Sequence, residues 1–210
     1  MAIVFSDVLL VPIGETPLAP VHDAADDLAR ITELSARVSP ERMPIPDDAY
    51  DVRRGQFQAP RLLQRLRAAR TGPDGWIRRG ATLVLGIATV DLFAPGLSFV
   101  FGQADTVGGV SVISLARLYP AFHGRGHELE TFRRRTAIES VHEVGHLLGV
   151  HHCDDRHCVM FYSSTIADSD RKGPMFCVEC RTMADRAVAG AEVTVTAAIT
   201  TSSSQQPAAS

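Results

Sequence analysis

The chain has no cysteine before residue 153, so any thiol chemistry it carries is confined to its last third. It has no apolar run near the ~20 residues that a membrane span needs, which predicts no membrane partner. It has no basic excess: the net charge is −3 and the pI is near 6.2, so composition makes no case for nucleic acid as a partner. It shows no internal repeat. Its opening, MAIVFSDVLLVPIG, lacks the basic n-region of a secretion signal, and Asp7 interrupts the apolar stretch, which predicts a cytoplasmic protein. At 210 residues the expectation is one domain around one core. From about Ala191 the chain turns to Ala, Thr and Ser and ends TTSSSQQPAAS, with little to bury. A disordered tail is expected over residues 191–210, a short strand over 193–196 being the alternative.

Against these absences, residues 142–152 read H-E-V-G-H-L-L-G-V-H-H, which fits H-E-x-x-H-x-x-G-x-x-H. His142 and His146 are four apart, so on a helix they share one face, a turn apart. Glu143 lies next round the helix, beside a shared metal ion but free to act as a base. Gly149 permits a helix-ending turn at positive φ, which returns the chain so that His152 reaches the same ion. Spacing selects His152; the adjacent His151 is the fallback. Three histidines leave one tetrahedral position for water, the mark of a catalytic zinc site. Ile138, Val141, Val144, Gly145, Leu147 and Leu148 make the rest of this helix apolar and predict burial on most sides.

Four cysteines follow in two pairs, Cys153/Cys158 and Cys177/Cys180. Two pairs at these spacings suit one tetrahedral structural zinc. Disulfides would need an oxidising compartment, and redox chemistry a thioredoxin-like setting that residues 170–190 do not offer. Arg156, Arg171, Lys172 and Arg181 are the candidates to offset the charge of four thiolates. His157, between two of the cysteines, is a spare ligand that a complete four-cysteine set does not require.

The run H-E-x-x-H-x-x-G-x-x-H-C-x4-C-x-M with a later C-x-x-C resembles the archaemetzincins, a metzincin-type family of zinc metalloproteases. The resemblance is specific over residues 142–180 and looser before them. It implies that His142, His146 and His152 bind a catalytic zinc and that Glu143 is the general base. It implies that Cys153, Cys158, Cys177 and Cys180 bind a second, structural zinc. It also implies that Met160 forms the Met-turn, a tight turn under the metal. Tyr162, two residues on, matches the position from which some metzincins reach the reacting oxyanion; the alternative is a wall residue of the cleft. No cysteine upstream of the motif is available to plug the zinc.

Along the chain, patterning predicts strands at Ile3–Ile13, Ala81–Asp91, Leu97–Ala104 and Gly109–Leu118, with a weak one around Arg42-Met43-Pro44. Helices are expected at Ala24–Val38, Ala59–Ala69 and Leu129–Leu148. Residues 51–58, 71–75 and 123–127 read as loops or turns. Arg133-Arg134-Arg135 reads as a solvated helix face, and His123 and His127 as solvated loop residues. The expected fold is α+β, with an α/β-like N-terminal part. It is a compact metzincin-like domain with a mixed, twisted sheet, two backing helices, a long active-site helix and a zinc-bound C-terminal part. Residues 1–190 form one catalytic domain, with subdomains at 1–150 and 151–190. Leu97–Ala104 is the expected edge strand, which in metzincins pairs with an extended peptide substrate.

The functional expectation is a monomeric zinc metallopeptidase with two zinc ions, hydrolysing peptide or protein substrates through Glu143. A zinc-containing peptide-binding module that cuts nothing is the alternative, disfavoured by the intact Glu143. A nucleic-acid-binding zinc knuckle at residues 153–180 is disfavoured by the acidic charge.

Overall fold

A computed structural model of the chain describes residues 5–71, 75–77 and 82–189. Strand β1 (Asp7–Ile13) and strand β5 (Thr82–Ala88) are apolar after their first residues, Asp7 and Thr82, and pair in parallel. Both are covered on two faces, which is why neither alternates between apolar and polar residues. Outside them lie β2 (Ser35–Val38), β8 (Val110–Ser114) and β7 (Gly102–Asp105), in the order β2-β1-β5-β8-β7. Every pairing in this sheet is parallel except β7 with β8.

The two faces sort by residue parity. Val8, Leu10, Leu83, Leu85, Ile87 and Ile113 meet helix α1 (Leu18–Thr32) and the long helix α3 (Leu129–Leu147). Leu9, Val11, Ile13, Val84, Val110 and Val112 meet helix α2 (Ala59–Thr71). A second sheet of β3 (Tyr50–Asp51), β4 (Gln56–Gln58) and β6 (Leu92–Phe93) lies beyond. After α3 come two shorter helices, α4 (Ile166–Arg171) and α5 (Val178–Ala189).

The long helix and the two central strands stand where periodicity places them. The first helix does not: it begins six residues earlier than expected and ends at Thr32. Pro20 sits in its first turn, where a missing N–H costs nothing, rather than ahead of it. Glu33 ends it in the left-handed conformation at φ 62°, freeing Ser35–Val38 to add a strand beside β1. Met43 makes a single bridge to Ile13 rather than a strand. Residues 51–58, expected as a loop, form the β3–β4 hairpin. The predicted strand at Leu97–Ala104 shortens and shifts to Gly102–Asp105, while its edge position holds. Residues 72–74 of the predicted 71–75 turn lie outside the described residues, as do the 191–210 tail and the alternative strand at 193–196.

At the centre of β5, a Cβ on Gly86 would come within 2.7 Å of Ile13 Cδ1 and 2.8 Å of Leu66 Cδ1. Interiors this dense accommodate added methyls only by displacing neighbours. Gly86→Val is therefore expected to lower the free energy of unfolding by ~1–3 kcal/mol. Urea denaturation followed by circular dichroism reads this, and an unchanged midpoint would contradict the packing described.

Candidate active site and metal centres

Helix α3 carries four ionisable groups with almost no solvent: Arg135, Glu139, His142 and Glu143. His142 donates its Nδ1–H to Val159 O at 2.8 Å, and His146 donates its own to Val150 O at 2.9 Å. A carbonyl only accepts, so each ring carries its proton on Nδ1 and a bare lone pair on Nε2. The two Nε2 atoms lie 3.2 Å apart. The chain reaches the third imidazole as spacing requires: Gly149 turns at φ 82°, with its N–H on His146 O. His152, not His151, then joins the pair, with ring centroids 5.4 Å from His142 and 4.8 Å from His146.

This arrangement fits a metal. Two facing lone pairs repel unless a cation lies between them. Zn–N bonds of ~2.0–2.1 Å in tetrahedral geometry set neighbouring nitrogens ~3.3 Å apart. Burial lowers the pKa of all three rings, that of His146 to about 4, and so keeps them in the neutral form that binds metal. Lys172 and the neighbouring imidazoles add to the effect at His142.

Glu143 is held between α3 and the edge strand. A Cβ on Gly102 would meet Glu143 Oε1 at 2.5 Å, so only glycine lets the carboxylate rest there. Its Oε2 is buried with no hydrogen-bond partner. Burial pushes its pKa well above the usual range, Glu139 adds to this, and Lys172 opposes it. A desolvated carboxylate with an unpaired oxygen has lone pairs free to take an incoming proton.

Met160 is fully buried. A Cβ on Gly145 would come within 2.5 Å of Met160 Sδ and 3.2 Å of Phe176 Cε1, so the sulfur packs directly on α3 at Gly145. The N–H of Phe161 closes a tight turn on Cys158 O at 3.0 Å. Tyr162 stands beside the third imidazole, its ring centroid 5.1 Å from that of His152.

The four cysteines gather in a second cluster, their sulfurs within 4.8 Å of one another and none joined in a disulfide. Cys153 Sγ and Cys177 Sγ are 3.8 Å apart. Zn–S bonds of ~2.3 Å set tetrahedral sulfurs ~3.8 Å apart, so this donor set also fits zinc. Backbone N–H groups of Met160 and Cys177 reach Cys158 Sγ at 3.4 and 3.3 Å, as suits thiolate acceptors. His157 stands outside this cluster and is exposed.

Two sequence readings change here, that of the arginine run and that of Lys172. Arg135 is not on a solvated face: it is buried and bidentate to Asp170 at 2.7 Å. Arg134 donates to the carbonyls of Asp170 and Lys172, leaving only Arg133 on an exposed pair, with Asp23. Lys172 directs its ammonium to Glu139, Phe161 O and His142 rather than to the cysteines. His123 is exposed and bonds Arg117 O, and His127 is exposed. Glu139 was not singled out from the sequence. The signal available was its position three residues before His142, on the same helix face.

A sequence model of peptidase family M54 matches residues 31–186. The archaemetzincin of Methanopyrus kandleri is 41% identical over 150 residues, covering 71% of this chain and 78% of that protein. That of Methanocaldococcus jannaschii is 33% identical over 187 residues, covering 85% and 98%. The crystal structure of the Methanopyrus kandleri archaemetzincin superposes with a TM-score of 0.74 at 34% identity, covering 88% of this chain and 96% of that one. A structure from Methanocorpusculum labreanum, described as a zinc-dependent peptidase, gives 0.74 at 25% identity, covering 84% and 99%. With matches this extensive on a three-histidine, one-glutamate site, the chain belongs to peptidase family M54, the archaemetzincins, and is a zinc metallopeptidase.

Proposed function

We propose that His142, His146 and His152 hold the catalytic zinc, that Glu143 is the general base, and that Cys153, Cys158, Cys177 and Cys180 hold a second, structural zinc. The observation that carries the reading is the pair of Nε2 lone pairs 3.2 Å apart, each ring fixed from behind, with the free Glu143 oxygen alongside. When bound, zinc lowers the pKa of a coordinated water to ~7 and polarises a carbonyl. Glu143 takes the proton as water attacks the scissile carbonyl, then returns it to the departing amine.

Met160 supplies no chemistry in this reading; it acts as the Met-turn residue that fills the floor under the imidazoles. Tyr162 borders the cleft beside His152 and serves as its wall or as a donor to the oxyanion. Among the described residues the edge strand β7 pairs with β8 alone, and its other side serves for antiparallel pairing with an extended peptide. Residues 1–190 act as one catalytic domain, with subdomains at 1–150 and 151–190. One apolar cluster running from Val8 to Ala187 supports this. The protein works as a monomer in the cytoplasm, where four reduced cysteines are the stable state. Among the described residues no helix is long and apolar enough to cross a membrane, and the acidic net charge disfavours nucleic acid.

Three outcomes test this reading. Glu143→Ala should abolish hydrolysis of a peptide library while leaving zinc content and melting temperature near wild type. General-base catalysis is worth roughly 10²–10⁴-fold, so residual activity above about a tenth would sink the assignment.

Gly102→Ala should act on the same group from the opposite side. The added methyl displaces the Glu143 carboxylate, the movable end of a side chain, so stability should hold. A shift of about 1 Å at a reacting group costs ~10²-fold, so kcat should fall by that order with zinc content unchanged. Wild-type kcat would show that Glu143 is not held where it must work.

Metal analysis should find two zinc ions per chain, of which a mild chelator removes one without unfolding the protein. The three-histidine site is open and holds neutral ligands, whereas the four-cysteine site is closed and holds thiolates. One ion in total, or loss of both together with the fold, would refute the two-site reading.

A further inference from the structure

The chain has 21 basic residues and Lys172 is its only lysine. It is also fully buried, which a lysine rarely is without a partner. Its ammonium lies 3.4 Å from Glu139 Oε1, 3.2 Å from Phe161 O and 3.4 Å from His142 Nδ1. His142 Nδ1 already gives its proton to Val159 O, so the ammonium meets it as a neighbouring charge, not as a hydrogen-bond donor. Glu139 Oε1 accepts a second bond, from Ser169 Oγ at 2.9 Å.

We infer that Lys172 and Glu139 form a positioning pair that fixes His142 from behind and aims its Nε2 at the metal. The inference rests on the metal reading of the three histidines proposed above. Lys172 ties Phe161 O, and Val159 O takes the His142 proton, so the two carbonyls flanking Met160 are both held to this one corner. Glu139 lies one turn before His142 on α3, so the pair ties helix to loop at the depth of the ring. The segment that delivers Lys172 is itself fixed. A capping box closes α4 through Thr165 and Asp168. Arg135 grips Asp170 bidentately, and Arg134 donates to the carbonyls of Asp170 and Lys172. A compact ammonium suits a closed space bounded by a carboxylate and a carbonyl, where the planar fork of an arginine does not.

The sign of the effect separates positioning from electrostatics. An ammonium behind His142 repels a cation at Nε2, and Glu139 attracts it. On charge alone, Lys172→Met would tighten metal binding, and removing both members of the pair would leave it near wild type. Positioning demands the opposite: weaker binding even when both charges are gone.

The decisive variant is Glu139→Gln/Lys172→Met, which leaves no unpaired buried charge and should therefore fold. The full chain, its four-cysteine site loaded, is titrated with zinc alone against a chelator of known affinity. The double variant should bind zinc at the three-histidine site roughly 10- to 100-fold more weakly, the usual effect of losing a group that supports a metal ligand. Wild-type or tighter affinity would overturn the inference.

A second measurement does not depend on the variant. With one lysine, protein grown on lysine labelled with ¹⁵N at Nζ gives one side-chain signal. That signal should shift when the three-histidine site fills, and a stationary signal would also overturn the inference. If the wild type binds no zinc through the three histidines, the metal reading falls and this inference with it. The wild-type titration thus separates that failure from the inference's own.

Discussion

The hydrogen bonds from His142 Nδ1 to Val159 O and from His146 Nδ1 to Val150 O decide what the site can be. They fix the tautomer of both rings and turn both Nε2 lone pairs toward one point. Both acceptors lie beyond the helix, on the stretch that returns from Gly149 toward Met160. The helix alone brings the two rings to one face. The returning chain fixes how both rings point, and its course depends on the positive φ at Gly149 and on the sulfur packed against Gly145.

Burial of α3 explains much of the remaining architecture. A helix that buries Arg135, Glu139, His142 and Glu143 incurs a desolvation cost that packing alone does not offset. Each group other than Glu143 has its charge or polar atoms met by the C-terminal part. Asp170 meets Arg135, Ser169 and Lys172 meet Glu139, and Val159 meets His142. Glu143 Oε2 is the exception, and the exception lies where a proton acceptor is needed. Of the side-chain atoms on α3, Ser140 Oγ is also buried without a partner, but it carries no charge; among the four ionisable groups only Glu143 is left with an unpaired oxygen.

The gathering of the three histidines was legible because their chemistry is written in short spacings on one helix and the turn after it. The same holds for β5 and for the long helix, whose patterns are unbroken. Legibility failed where local and tertiary signals diverge. Ser35–Val38 is too short to show a period, and only its neighbour β1 makes it a strand. Gln56–Gln58 forms a strand because Leu92–Phe93 pairs with it from more than thirty residues away. Arg134 and Arg135 look like surface charge until Asp170 and the carbonyls of α4 meet them. Lys172 reads as a countercharge to nearby cysteines, and only the path of α4 turns it toward Glu139. In each case the deciding partner is distant in sequence, and no property of the residue itself announces it.

The two clusters are less separate than their donor sets imply. His152 and Cys153 are consecutive, so one peptide joins the third imidazole to the first thiol. Cys153 N–H donates to Met160 O at 3.0 Å, and Met160 N–H reaches Cys158 Sγ at 3.4 Å. Met160 is thus held at both its N–H and its C=O by cysteines of the second cluster. Closing that cluster around an ion restrains the backbone of Cys153 and Cys158 together, and with it the sulfur that packs at Gly145. With an ion in each cluster, as proposed, the four-cysteine centre would restrain the chain that carries His152, so that the three-histidine site could keep a free coordination position without its ligands losing their alignment.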